Sequence, residues 1–290
     1  MIDLLLCILF TTSLGIFLKL FDRFGLNRMQ AIVFNYVSCV ITGCVVQQSV
    51  PHYIDYMSKD WFVTAFILGC SFLFFFNVMS YIVKHNGITV MSVANKLSLV
   101  IPVGAAFFIF QEQMTALKLA GIFFALLAVI FTSVKNEVSG ERFNLKNSFV
   151  PFLLFVGSGL NDTLVKYAQS FCSANADNAP FNITIFTVSA FAGIIILVWR
   201  GVKNKSKIEW KSVAGGLLLG VPNYFSMHYL VKALAVKDLG ASVIFPLNNI
   251  GVVMASACVA YFLFSEKISK LNLAGILLAI LAIVLIAFTA

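Results

Sequence analysis

Charge is what this sequence has least of. Of its 290 residues only 11% are Asp, Glu, Lys or Arg, whereas 60% are apolar; ordinary soluble domains carry about a quarter charged residues and roughly half apolar ones. A water-soluble fold has too little interior for that excess, so lipid is the expected main solvent. Long polar stretches are also missing. The only connections of note are 49–60, 135–146, 173–179 and 200–211, which leaves no room for an extramembrane catalytic domain. The six cysteines (Cys7, Cys39, Cys44, Cys70, Cys172 and Cys258) lack the close pairing of a zinc or redox motif and read as buried apolar thiols. There is no nucleotide-binding glycine loop, metal cluster or nucleophile triad, so neither enzymatic activity nor a cofactor is expected. The net charge of +8 comes from basic residues scattered through short connections and forming no continuous face. That distribution argues against nucleic acid and for topology signals and lipid head-group contacts.

What is present is a series of apolar runs of about twenty residues, the length at which a helix rising 1.5 Å per residue crosses ~30 Å of hydrocarbon. They predict an all-α membrane protein with ten transmembrane helices near 2–21, 29–48, 61–83, 87–110, 115–134, 147–172, 180–199, 212–235, 239–264 and 270–289. The first run follows Met1-Ile2-Asp3, without a basic leader or a small-residue cleavage site, and is expected to remain as helix one. The 30 phenylalanines, including Phe72 and Phe74-Phe75-Phe76, read as lipid-facing and packing residues. Gly157-Ser158-Gly159, inside an apolar span, reads as a close helix contact.

The chain also repeats itself. Leu119-Ala120-Gly121-Ile122 recurs 154 residues later as Leu273-Ala274-Gly275-Ile276, and the same offset pairs Asn95 with Asn249, Phe108 with Phe262, Phe110 with Phe264 and Glu112 with Glu266. A weaker match sets Lys19 against Lys166. The repeating unit is five spans, giving a first repeat over 1–134, a connecting loop at 135–146 and a second repeat over 147–290. An odd number of crossings inserts the second copy upside down. Two inverted five-helix repeats enclosing a midplane cavity are a transporter architecture.

These residues resemble the ten-helix EamA-like branch of the drug/metabolite transporter superfamily. The most specific part is the close of spans four and nine on Phe110-Gln111-Glu112 and Phe264-Ser265-Glu266, each followed by a helix with an Ala-Gly pair. Pro102 matches a family proline, Lys19 the basic residue that ends the first helix of many members, and Asn161 the corresponding asparagine of span six. Thr11-Thr12 departs from the Trp-Gly common in members, and Ser256 from a second copy of Pro102. The resemblance implies export or exchange by alternating access of small metabolites, such as amino acids, nucleotide-linked compounds or drugs, in a bacterial inner membrane, with both termini in the cytosol. Counting basic residues gives the opposite orientation: thirteen Lys and Arg in connections lie on one face and only Lys59 and Lys237 on the other, which puts both termini outside.

An ionisable side chain in mid-span costs about 2.5 kcal/mol or more, so each needs a partner, a wet cavity or a function. Asp162 stands near the centre of span six beside Asn161 and four residues before Lys166, either as a substrate or proton-coupling carboxylate or as a structural pair with that lysine. Lys96 follows Asn95 and precedes Pro102, and holds an anionic group or pairs with Asp162. Tyr224, His228 and Lys232 form one stripe of span eight after Pro222-Asn223, where His228 either moves a proton, contacts substrate or bonds a neighbouring helix. Asn77, Asn223 and Asn249 are amides able to line the same cavity. Lys19, Lys118 and Lys232 are expected to snorkel to the interface, and Glu112 and Glu266 to act as helix caps. The expected partners are a small-molecule substrate, a coupling proton or counter-substrate, and membrane lipid, with the chain a monomer or homodimer. A rival reading is a partner subunit or a flippase for lipid-linked substrate that moves no small solute.

Overall fold

The computed structural model describes residues 2–48, 51, 53–133, 149–172, 178–204, 207–236, 240–264 and 270–287. Among them are eleven helices: α1 (Ile2–Arg23), α2 (Arg28–Gln47), α3 (Tyr53–Met57), α4 (Phe62–Leu97), α5 (Val100–Phe108), α6 (Ala116–Ser133), α7 (Phe149–Phe171), α8 (Asn178–Asn204), α9 (Trp210–Leu234), α10 (Ala241–Phe264) and α11 (Lys270–Ala287). The apolar runs became helices because in hydrocarbon only a helix satisfies its own backbone. Four helical stretches are long and apolar enough to cross a membrane by length and composition: Arg28–Gln47, Phe62–Met79, Asn178–Lys203 and Ala241–Val259. Shorter apolar stretches occur in α1, α6, α11 and the α4–α5 region.

One boundary differs from the sequence expectation. Spans 61–83 and 87–110 were to be separated by Lys84-His85-Asn86, yet the backbone is helical from 62 to 97 and breaks at Ser98-Leu99. Lys, His and Asn are tolerated inside a helix, whereas Pro102 is accommodated only in the first turn of a new one, which α5 provides. A straight helix of this length would extend about 54 Å, well beyond ~30 Å of hydrocarbon. It is not straight. Phe75 touches the position of Gly157, and Asn95, about 30 Å away along a straight helix, accepts a hydrogen bond from the adjacent Ser158 at 2.8 Å. Both limbs of α4 therefore lie against the same stretch of α7, so the expected boundary falls inside a bend. The expected connection 49–60 also contains a helical turn, α3, pinned by Tyr56, which bonds Gln47 at 3.0 Å and packs on the fully buried Trp61.

The helices pack as two compact units, Met1–Phe74 with Leu164–Ala235 and Phe75–Thr163 with Val236–Ala290. The division passes through α4 and α7, and each unit draws on both halves of the sequence. In unit 1, α2 and α9 run parallel: Ala31 meets Gly216, Asn35 meets Gly220 and Asn223, and Gly43 meets Tyr224. Gly216 and Gly220 have backbone carbonyls of α2 where a Cβ would sit, so glycine alone permits this approach. The seam is closed by Ser38 donating to the Leu217 carbonyl (2.7 Å) and the Cys39 thiol to the Gly220 carbonyl (3.3 Å). α8 is antiparallel to α2 (Gly193 on Val33, Phe186 on Tyr36, Ile183 on Gly43), and the first limb of α4 is parallel to α8 (Trp61 on Phe181, Gly69 on Ile185 and Val188). At one end of the unit the turn before α2 is tied to the turn before α9, through Asn27 to Ser212 and Gln30 to Lys207 and Glu209.

In unit 2, α6 and α11 are antiparallel. Gly121, near the start of α6, packs on Ala282 and Ile286 near the end of α11, and Ala125, Ala128, Ala279 and Ala282 form one buried cluster with Ile250 of α10. Small side chains let the two backbones close up along their length. The second cluster joins Val78, Ile82 and Ala94 of both α4 limbs to Leu154 of α7.

Candidate functional site

The residues singled out from the sequence fall into two groups, one in each unit. Unit 2 holds Asn77, Asn95, Lys96, Asn161, Asp162 and Asn249. The close approach of α7 to α4 and α5 is made possible by glycine: a Cβ at Gly157 would enter the Phe75 ring, and one at Gly159 would lie 2.7 Å from the Ser98 carbonyl. Between the two glycines, Ser158 bonds Asn95. That bond fixes the level of two ionisable groups, since Lys96 is the next residue of α4 and Asp162 stands one turn beyond Ser158 on α7.

Both side chains are half-buried, and among the described residues neither makes an ion pair. The pairings allowed by the sequence, Asp162 with Lys166 or with Lys96, are not formed. The reason is visible for Lys166: its ammonium is committed to the Gln169 side chain (3.0 Å) and to the Leu234 carbonyl at the end of α9 (3.1 Å), within unit 1, where a cation is favoured by the helix dipole. Asn77 and Asn161 are half-buried with partners of their own, and Asn249 is half-buried beyond Pro246 beside Asn248, whose amide oxygen is buried without a partner.

Glu112 turns out to be a cap, though not of the helix that follows it. Its carboxylate accepts from the backbone N–H of Ala241 (2.6 Å) and Ser242 (3.1 Å) and from the Ser242 hydroxyl, so it closes the N-terminus of α10, 129 residues away. Gly240 leaves the space for it; a Cβ there would meet the carboxylate. Lys118, expected to snorkel, is instead buried, with its ammonium 3.8 Å from Glu112 and 3.4 Å from the Gln113 carbonyl. The counterpart Glu266 and the side chain of Lys19 lie outside the described residues.

Unit 1 holds Lys166, Asn223, Tyr224 and His228. Asn223 donates to Asn35 of α2 (3.1 Å) and so serves the α2–α9 seam. Tyr224 and His228 stack with ring centroids 5.7 Å apart, inside an aromatic group completed by Phe10 of α1, Phe225 and Tyr229. Lys232 is exposed, its ammonium 5.8 Å from the Tyr229 ring, as expected for a snorkelling residue. Sequence reasoning missed Asn35, Asn178 and Asn182. Asn178 donates to the His228 carbonyl (3.1 Å) and accepts from Asn182. A single amide in an apolar run carries no signal of its own; the Gly216-x-x-x-Gly220 spacing, not singled out from the sequence, is the signal that could have pointed to the seam beside them.

Residues 148–288 match the family model described as the EamA-like transporter family. Over that stretch the chain is similar to the EamA-like transporter family. The family is part of the drug/metabolite transporter superfamily, and its members are transporters, which accords with the apolar helices of an integral membrane protein. Over 287 residues, 97% of this chain and 96% of the relative, the sequence is 27% identical to an uncharacterized protein of Haemophilus influenzae (strain ATCC 51907 / DSM 11121 / KW20 / Rd). A solved crystal structure aligns with 100% of this chain and 96% of its own, with a TM-score of 0.76 at 10% identity, a likeness of fold.

Proposed function

We propose that this chain, similar over 148–288 to the EamA-like transporter family, is a secondary transporter that exports or exchanges a small metabolite across a bacterial inner membrane. In this reading it works by alternating access between repeats 1–134 and 147–290, inserted in opposite senses and joined by 135–146. The observation that carries the reading is the pair Lys96 and Asp162, ionisable groups in apolar helices that no ion partner among the described residues neutralises. A structural bundle has no reason to retain such groups at a cost of about 2.5 kcal/mol or more each, whereas a solute path or a proton relay requires them.

Opposite insertion is supported inside each unit. The first limb of α4 is parallel to α8 and so antiparallel to α2, whereas α9, its counterpart in the second half, is parallel to α2. The fifth helices of the two halves, α6 and α11, run antiparallel, and their cluster consists of repeat counterparts, Ala125 with Ala279 and Ala128 with Ala282. The basic connections, densest from Arg200 to Lys211, then face the cytoplasm.

The test is flux in proteoliposomes against a panel of amino acids, nucleotides, sugars and cationic drugs. Wild-type protein is expected to move at least one class, with Asp162→Asn abolishing that flux or its proton dependence while insertion is retained. Full flux in Asp162→Asn and in Lys96→Gln alike would remove the basis of the proposal.

A further inference from the structure

Three buried polar atoms of unit 1 have no hydrogen-bond partner among the described residues: the Asn182 amide oxygen, the Tyr224 hydroxyl and the His228 Nδ1. Asn182 and Tyr224 are 0% exposed and His228 is 9% exposed. They lie at neighbouring levels of α8 and α9. α8 and α9 run antiparallel, with Asn178 level with the His228 carbonyl and Ile183 and Phe186 level with Tyr224. Asn182 therefore falls between the levels of Tyr224 and His228, whose rings already stack. Asn182 cannot turn its oxygen to Asn178, because its amide nitrogen is held there as donor. Leaving a buried polar group unmade opposes folding, and native interiors tolerate few such groups. Three at adjacent levels of two packed helices, in a unit that otherwise ties its amides and hydroxyls, point to completion by something else.

Resting on the transporter reading above, we infer that Asn182, Tyr224 and His228 form a subsite for the uncharged polar end of the solute, a group bearing hydroxyls or a carboxamide. Asn182 offers an acceptor, Tyr224 both a donor and an acceptor, and neutral imidazole one or the other according to tautomer. Asn and Tyr bring no formal charge here; Lys232, the cation on the same stripe, is turned out over Tyr229, and the charges that act on the imidazole, Lys232 and Asp3 of α1, are of opposite sign. A site built to hydrogen-bond a polar substituent discriminates strongly against an analogue that lacks it, because its own groups are then left unpaired.

Two measurements on the purified full-length chain test this. In solute-free thermal unfolding, Tyr224→Phe removes an unpartnered hydroxyl and is expected to raise the melting temperature by a few degrees, while Tyr56→Phe, which loses the Gln47 bond, lowers it. In proteoliposomes, matched solutes are compared: uridine against 2′,3′-dideoxyuridine, L-asparagine against L-aspartate, nicotinamide against nicotinate. Wild type is expected to move at least one polar member tenfold or more faster than its match, with Tyr224→Phe and His228→Phe each cutting that flux at least tenfold. A lowered melting temperature in Tyr224→Phe would mean that a trapped water or the fold itself occupies the hydroxyl, and overturns the inference. Wild type that moves solutes without preferring any polar member also overturns it and leaves the transporter reading standing; wild type that moves nothing in either panel overturns both.

Discussion

In unit 1 the polar side chains between helices are mostly amides, hydroxyls and a thiol, with one ammonium, Lys166, held on the Leu234 carbonyl, and most are tied from one helix to the next: Asn35 to Asn223, Ser38 to Leu217, Ser189 to Gly69, Asn178 to His228. In unit 2 the corresponding interior contains Lys96 and Asp162 without ion partners among the described residues, and a carboxylate, Glu112, that closes the N-terminus of a distant helix. The units thus divide two tasks. Neutral amides and glycine contacts are cheap to bury once bonded and give a stiff, closely packed seam. Free charges are costly to bury and are retained where something must be attracted and released. Stability is expected to depend mostly on the α2–α9 seam of unit 1 and the handling of charge on unit 2, with the solute's uncharged end left to Asn182, Tyr224 and His228 of unit 1.

That contrast is most readily broken at the α2–α9 seam. Gly220→Val places a branched side chain against the Asn35 carbonyl, which lies 2.5 Å from the Cβ position, and is expected to cost more than about 4 kcal/mol and abolish recovery of folded protein by size-exclusion chromatography. Next in size is a functional effect without a structural one. Lys96→Gln is expected to cut proteoliposome flux at least tenfold, about 1.4 kcal/mol or more of binding or barrier, while its melting temperature stays level or rises because an uncompensated charge is gone. Should both flux and stability collapse together, the assignment of separate tasks to the units is wrong. Glu112→Gln retains the shape of the α10 cap and loses its charge; a loss of about 1 kcal/mol, seen as a drop of a few degrees in thermal unfolding, is expected. The smallest effect is Ser158→Ala, which removes one neutral hydrogen bond to Asn95 at about 1 kcal/mol or less and sharpens the comparison if flux changes more than stability does.

That the apolar runs are helical was readable because lipid imposes a single solution on an apolar run of sufficient length, and the likeness to the EamA-like family was readable because the turns around Glu112 and Glu266 carry unusual residues in a repeated frame. The bend of α4 was not. Lys84-His85-Asn86 looks like a connection in one dimension, yet those residues continue a helix, and only the joint contact of Phe75 and Asn95 with α7 reveals that the chain has folded back. The target of Glu112 was equally hidden, because a cap was expected from its position before α6 and the helix it serves begins at Ala241. Asp162 and Lys166 show the limit of spacing arguments: i,i+4 permits an ion pair, but the Leu234 carbonyl and Gln169 compete for the ammonium and hold it. Asn182 could be found only from what its oxygen lacks.

The alanine seam of α6 and α11 has a consequence for how this chain tolerates change. Because Ala125 and Ala128 are matched by Ala279 and Ala282, either helix offers the other the same small side chains at the same levels. A bulky residue introduced at one of the four positions would prise the pair apart, and where the neighbour is already alanine the one reduction left on the facing helix is to glycine, which costs that helix about 1 kcal/mol. Transplanting the α11 stretch around these alanines into the α6 position, and the reverse, should by contrast leave the seam shut.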